Sequence, residues 1–328
     1  MGAARADGHA HRSRRATGRA ATPLRWATQT LTTRRTRREF LTVSVVIPVK
    51  NDAVALRRCL AALSRQTVHP DEIIVVDNGS TDETARVARD LGARVIYESV
   101  PGIPAASTAG YDAARFAVIG RLDADSVAPP TWIEEGIRIL TDEPGIDAIT
   151  GSGYFYDGPR RGSRVVAGLY LGAYFTAFRL ALGETPLFGS NFFLRQQAWQ
   201  AVATSVHRSG VSIHDDLDLT IHLTPHHRIE FEPAISVGIS YRPFRRADTY
   251  LLRVQRGFWT LLRNWPRSSS TLRWRRKLLD RICTRGRQVR DPSNLNANVW
   301  SRVDRQRSGR RRLTRLSMPT PHERRRLR

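Results

Sequence analysis

Cysteine is nearly absent: the 328 residues hold two, Cys59 and Cys283, far apart and with no second thiol near either. That excludes a disulfide framework and a cysteine zinc site, and it suits a reducing cytoplasm. Long apolar runs are lacking too. Behind the arginines of the first 40 residues there is no apolar run of roughly 7 to 15 residues, so no secretory signal is expected there. The stretch 165–182 is apolar but interrupted by Gly168 and Gly172 and closed off by Arg179. It reads as a buried helix or one lining an acceptor groove, being short of a full span. Acid is scarce overall, and the formal charge is +23.

That charge is unevenly spread. Residues 1–40 hold 10 Arg against 2 acids, 246–290 hold 13 Lys or Arg against 2, and 291–328 hold 11 Arg against 3. The middle, 41–245, holds 19 basic against 23 acidic residues. An acidic core without a recognised binding motif argues against nucleic acid as the partner, and the high pI belongs to the flanks. The expected layout is a disordered basic arm (1–40), a catalytic domain (41–245), a basic amphipathic helical extension (246–290) and a disordered basic tail (291–328).

Within the middle, strands and helices alternate. Val43–Val49 and Glu72–Asp77 are β-branched runs of buried-strand type, the first interrupted by Pro48 and the second ending on a carboxylate. Arg94–Glu98 and Ala117–Leu122 read as further strands, and 54–66, 83–91, 105–116 and 215–223 as helices. This rhythm predicts an α/β fold, a mostly parallel sheet flanked by helices with right-handed crossovers. Ligands of such sheets bind beyond the carboxyl ends of the strands, where Asp77, Asp123 and Asp125 are expected.

Asp123-Ala124-Asp125 places two carboxylates one residue apart at a strand end, where alternate side chains share a side. Alone such a triplet is more often a solvated acidic turn than a site for a hard divalent cation. Its company decides. Val43 to Asn51, Ile73 to Asp82, Leu122 to Asp125, Gly189 to Arg195 and His214 to Leu219 resemble, in order and separation, the motifs of the family 2 glycosyltransferases of GT-A fold. The resemblance spans roughly residues 42–245.

It implies a Rossmann-like GT-A catalytic domain that transfers a sugar from a nucleotide-diphosphate sugar to an acceptor hydroxyl, with inversion. It further implies that Pro48, Lys50, Asn51 and Asp77 lie against the nucleotide, that Asp123 serves ribose or metal, and that Asp125 holds Mn²⁺ or Mg²⁺ at the diphosphate. Asp216 is implied as the catalytic base, with Asp215 beside it and with Asn191 and Arg195 on the acceptor side. Like-charge proximity to Asp215 is expected to raise the proton affinity of Asp216, provided the side chains are neighbours. His222, His226 and His227 are read as surface or packing residues.

Two departures from the family pattern stand out. Ala106-Ser107-Thr108-Ala109-Gly110 replaces the usual Ala-Arg-Asn, which leaves the donor sugar open. The Gln-x-x-Arg-Trp motif of processive members is absent, which favours single-sugar transfer. A nucleotidyltransferase that makes sugar nucleotides is the main competitor, but it would carry a Gly-rich phosphate loop where this chain has Pro48-Val49-Lys50-Asn51-Asp52. A non-catalytic basic protein binding membrane or nucleic acid is the other. Around 250–265, aromatic and aliphatic residues interleave with arginine. That pattern suits either a helix packed on the domain or one lying on an anionic membrane surface, and peripheral attachment to the inner face is the expectation if the second holds.

Overall fold

Val43–Val49 forms β1 and every residue of it is buried, as a strand covered on both faces must be. Alternate side chains feed two separate cores. Val43, Val45 and Ile47 pack on one face of the sheet with Leu56, Leu60 and Leu63, while Val46 packs on the other with Ile74, Val76 and Ile119. Helices α1 (Ala53–Leu63), α2 (Thr84–Asp90), α3 (Ile103–Ala113) and α4 (Trp132–Asp142) alternate with strands β2 (Glu72–Asp77), β3 (Arg94–Tyr97) and β4 (Val118–Leu122). Then come β5 (Ala148–Thr150), β6 (Gly153–Phe155), α5 (Ser163–Leu182), β7 (Asn191–Arg195) and α6 (Gln196–Val202). After these come α7 (Asp215–Leu223), β8 (Ile229–Phe231), β9 (Val237–Ile239) and α8 (Ala247–Arg263).

The computed structural model describes residues 41–158, 163–210, 212–242, 247–265, 269 and 273–275. The basic arm 1–40, the tail 291–328 and Cys283 lie outside these, as does most of 266–290. Cys59 is free and buried in α1, as expected of a reduced structural thiol.

The main sheet has seven strands in the order β3-β2-β1-β4-β7-β5-β8, and β6 pairs with β9 in a second, two-stranded sheet. All neighbours in the main sheet are parallel except β7, which runs antiparallel to β4 and β5. The mostly parallel α/β expectation therefore holds. The strand order reverses direction between β1 and β4, and a crevice at such a switch point is where ligands of open α/β sheets sit.

Several element ends differ by a few residues from expectation, for visible reasons. Helix α1 stops at Leu63 because Gln66 turns away to hold the 129–133 turn, donating to the Pro129 carbonyl at 2.7 Å and accepting from Ile133 N at 3.1 Å. Helix α3 starts early, at Ile103, with Pro104 in its first turn. Gly110 within α3 allows close approach to the sheet: a Cβ there would come within 2.3 Å of Val46 and 2.9 Å of Val76. Beyond residue 245, helix α8 packs on α7, within a compact unit that runs to Ser269.

At the other end of the strands Glu72 ties three elements together. Its carboxylate accepts from Ser44 Oγ at 2.8 Å, from Arg115 N at 2.8 Å, and from Arg94 Nε and Nη2 at 3.1 and 2.8 Å. Burial alone would push this carboxyl up, but these donors together hold it below the usual carboxylate range. Stability from such a group is present above the ordinary value and is lost as pH falls through the folded one. Glu72→Gln is therefore expected to lower unfolding stability by about 1–3 kcal/mol at neutral pH. Denaturant melts of the two proteins should converge on acidification, and a gap unchanged at low pH would contradict this.

Candidate active site

Two adjoining cavities open at the carboxyl edge of β1 and β4. The first, about 270 Å³, is lined by Pro48, Lys50, Asp52, Asn78, Asp125 and Arg242, among others. The second, about 110 Å³, is lined by Tyr174, Gly189, Ser190, His214, Asp215 and Asp216, among others. Ile103, Arg121 and Asp123 line both. Asp123 thus stands at the junction, one strand-end residue facing two compartments.

The junction is built around Arg121, which the sequence reading passed over. It sits inside an apolar strand and is 1% exposed. Its guanidinium donates to Asp123 Oδ1 at 2.8 Å, to the Leu122 carbonyl at 2.7 Å and to the Tyr111 hydroxyl at 3.2 Å, and lies 3.6 Å from Asp215 Oδ2. Ser190 Oγ donates to the other oxygen of Asp123. A charge within an otherwise aliphatic strand, Val118-Ile119-Gly120-Arg121-Leu122, was the available signal, because an unpaired cation is not buried there without carboxylate partners.

Asp125 faces the first cavity, and burial together with the nearby charge of Asp123 raises its proton affinity. Arg242 answers it. This second unforeseen residue follows β9 and donates through one Nη2 to Asp125 Oδ2, at 2.9 Å, and to Asp52. Asp157 holds the turn in place by accepting from Ser240 Oγ at 2.8 Å and from Tyr241 N. No spacing signal pointed to Arg242, which lies 117 residues from Asp125.

Asp215 and Asp216 open α7, as the sequence indicates, yet they behave differently. Asp216 Oδ2 accepts from Gly189 N at 2.8 Å with the Tyr174 hydroxyl 3.4 Å away, while Oδ1 takes Leu217 N at 2.7 Å and His214 Nδ1. Burial pushes this carboxyl up, but His214 and the two backbone donors outweigh it and hold it below the usual range. Asp215 accepts from Ser107 Oγ at 2.8 Å, and burial raises its proton affinity despite Arg121. The like-charge effect expected on Asp216 is thus corrected: the acid whose proton affinity rises is Asp215.

Other expected site residues fall in different places. Pro48 and Lys50 line the first cavity. Asn51 adopts a left-handed φ of 52°, a conformation asparagine tolerates, and its Oδ1 accepts from Thr81 N at 2.7 Å. It fastens the β1 loop to the β2 loop. Asp77 is buried and accepts from Ser80 N at 2.9 Å, so one of its oxygens serves the turn, and Asn78 is the residue that reaches the cavity wall.

Asn191 and Arg195, expected on the acceptor side, are both engaged within the protein. Asn191 is fully buried, accepting from Trp132 Nε1 at 2.8 Å and donating to the carbonyls of Ser152 and Ile235, which leaves its amide occupied by protein. Arg195 lies opposite Val118, at the far end of β4 from Asp123, and donates to the Ile146 and Leu140 carbonyls at 2.8 and 2.5 Å. His222 is a packing residue whose Nδ1 lies 2.8 Å from the Asp218 carbonyl, and His227 Nδ1 lies 3.3 Å from Asp147.

The donor sets suit a hard cation. Asp52, Asp123 and Asp125 line one cavity wall, and one ligand atom each from His214, Asp215 and Asp216 lies within 4.8 Å of the others.

An α/β sheet of this topology, carrying acids at the ends of β2 and β4 and at the start of α7, defines the GT-A class of glycosyltransferase fold. Residues 44–202 match the family model described as Glycosyl transferase family 2. Among curated relatives, the glycosyltransferase AglE of Haloferax volcanii is 33% identical over 118 residues, covering 34% of this chain and 38% of that protein. The glycosyltransferase GlyG of Streptococcus pneumoniae is 31% identical over 121 residues, covering 35% and 40%. The match thus spans about two fifths of either relative's length. Among solved structures, the mannosyltransferase PcManGT from Pyrobaculum calidifontis, in complex with GDP-Man and Mn²⁺, superposes with a TM-score of 0.52 at 19% identity, covering 73% of this chain and 69% of that one. A mycobacterial protein gives 0.51 at 23% identity, covering 68% and 74%.

Because Arg242 neutralises the carboxylates that a cation would need, Arg242→Ala is expected to tighten Mn²⁺ binding about fivefold, the worth of an ion pair of roughly 1 kcal/mol. Titration followed by the electron paramagnetic resonance of free Mn²⁺ measures it. An affinity equal to that of the unaltered chain would make the pair incidental.

Proposed function

We propose that this protein transfers a single sugar from a nucleotide-diphosphate sugar to an acceptor hydroxyl, with a divalent cation and with inversion at the sugar carbon. The observation that carries the reading is the charge on the first cavity wall. Lys50, Arg121 and Arg242 face Asp52, Asp123 and Asp125, so cations and carboxylates cancel. A diphosphate entering there finds no surplus positive charge, and Arg121 is already committed to Asp123 and Asp215. A divalent cation supplies the missing charge, and Mn²⁺ or Mg²⁺ held by Asp125 with Asp123 would stabilise the departing nucleoside diphosphate. The Mn²⁺ and GDP-Man of the structurally similar mannosyltransferase support this choice of ligands.

The protein's own groups complete the reaction. The donor's phosphates take the first cavity, its sugar reaches the Asp123 junction, and the acceptor enters the second. The acceptor oxygen attacks the anomeric carbon as the bond to the diphosphate breaks, and its proton passes to a carboxylate on the attacking side. Asp216 is the proposed base, kept ionised by Gly189 N, Leu217 N and His214. A second reading gives that task to Asp215, which lines the same cavity and whose raised proton affinity matches proton transfer better.

Both readings are separable by experiment. With Mn²⁺ and a panel of nucleotide sugars, Asp125→Asn should weaken donor binding and donor hydrolysis together. Asp216→Asn should keep donor affinity while transfer falls by about 10²–10⁴-fold, the usual worth of a general base. If Asp215→Asn shows that pattern in its place, the base is Asp215. Metal-independent turnover of the unaltered chain would refute the cation's role.

A further inference from the structure

Over its described side chains, from 255 on, helix α8 is inside out for a soluble protein. Gly257 and Thr260 are buried there, as is Asn264 just beyond the helix. Gly257 lies so near α5 that a Cβ there would come within 2.8 Å of Phe178 Cζ. Thr260 Oγ1 accepts from His214 N at 2.8 Å, and Asn264 Nδ2 donates to Asp218 Oδ1 at 2.9 Å. The residues it turns outward are the large apolar ones. Phe258 is 60% exposed, Trp259 56% and Leu262 45%, and Trp265 just beyond the helix is 67% exposed.

Phe258, Leu262 and Trp265 recur at helical spacing, so they form one stripe, and Trp259 borders it. Helix α5, whose Phe178 meets Gly257, carries exposed Val165, Leu169 and Leu180 on its own outward face. The span Val165–Leu182 is long and apolar enough to cross a membrane by length and composition, yet only 17% of it is buried in the molecule. An exposed apolar surface on this scale marks a binding face.

Its surroundings say what covers it. Arg256 and Arg263 lie on the same helix, on the far side of Trp259 from the stripe, and residues 246–290 carry 13 Lys or Arg against 2 acids. Tryptophan, phenylalanine and leucine bordered by arginine match the plane between headgroups and acyl chains of an anionic bilayer. The second cavity opens between the same helices, for Tyr170 and Tyr174 of α5 and Arg256 of α8 line it together with Asp215 and Asp216.

We propose that the α5 and α8 edge seats on an anionic lipid surface and that the acceptor is amphiphilic, entering the Asp215 and Asp216 cavity from that surface. The acceptor half rests on the transferase reading above, whereas the docking half does not.

The test uses the full chain and sedimentation with vesicles of phosphatidylcholine alone or with about one third phosphatidylglycerol. The chain is expected to bind the anionic vesicles, with a blue shift of tryptophan emission. The triple variant Phe258→Ser, Trp259→Ser, Leu262→Ser should bind them at least tenfold more weakly, and Trp259→Phe should bind normally. Equal binding by the triple variant would mean that the basic flanks alone hold the chain, which overturns the proposal. So would failure of the unaltered chain to bind, or a dimer dissolved by the three substitutions in place of vesicle binding. Metal-dependent donor hydrolysis without vesicles reports on the transferase reading alone and should be unchanged by these exposed substitutions.

Discussion

The buried guanidinium of Arg121 is the constraint on which the site depends. A cation 1% exposed is tolerable only if carboxylates and carbonyls replace its water. Those partners come from four places: Asp123 beyond its own strand, Tyr111 and Ser107 of α3, Asp215 of α7, and the Leu122 carbonyl. Satisfying one charge therefore fixes the end of β4 against α3 and α7. It sets Asp123 at the meeting point of two cavities, which the proposed reaction would use as its phosphate side and its acceptor side.

Electrostatics then divides labour among acids that look alike in sequence. Asp215 and Asp216 are adjacent in the first turn of α7, where the helix dipole favours both. Backbone donors from Gly189 and Leu217 reach only Asp216, and His214 joins them, so its charge is stabilised. Asp215 has a serine and a distant guanidinium, and burial dominates. Two identical side chains one residue apart end with opposite shifts because consecutive helical positions point to different surroundings.

The sheet was legible because its information is local. β-Branched runs closed by turn residues fix β1, β2 and β4, and acids at strand ends mark the ligand-binding edge. Asp123 and Asp125 were singled out by their strand-end position, whereas Asp215 and Asp216, at the start of a helix, were singled out by the motif resemblance alone. Arg242 was not, since its tie to Asp52 and Asp125 depends on where β9 ends relative to β1 and β4, a distance set by tertiary folding. Asn191 and Arg195 are the complementary case. Polar residues in a motif suggest ligand contact, but a strand antiparallel to its neighbour carries Arg195 to the opposite edge, and Asn191 spends its amide on Ser152 and Ile235.

The charge segregation of the chain gains a physical sense from the same geometry. The core from 41 to 245 carries a slight excess of acid, 23 against 19 basic residues, and Arg121 and Arg242 at the site are already paired. Such a domain has no net attraction for a polyanionic surface. The flanks do, and α8 joins them to the cavity by burying Thr260 against His214 while turning Trp259 and Trp265 outward. Attraction supplied by the charge of the flanks alone would be indifferent to orientation, but an aromatic stripe on a helix fixed to α7 is not. It imposes one pose on a surface, with the acids of α7 behind the helix that makes the contact.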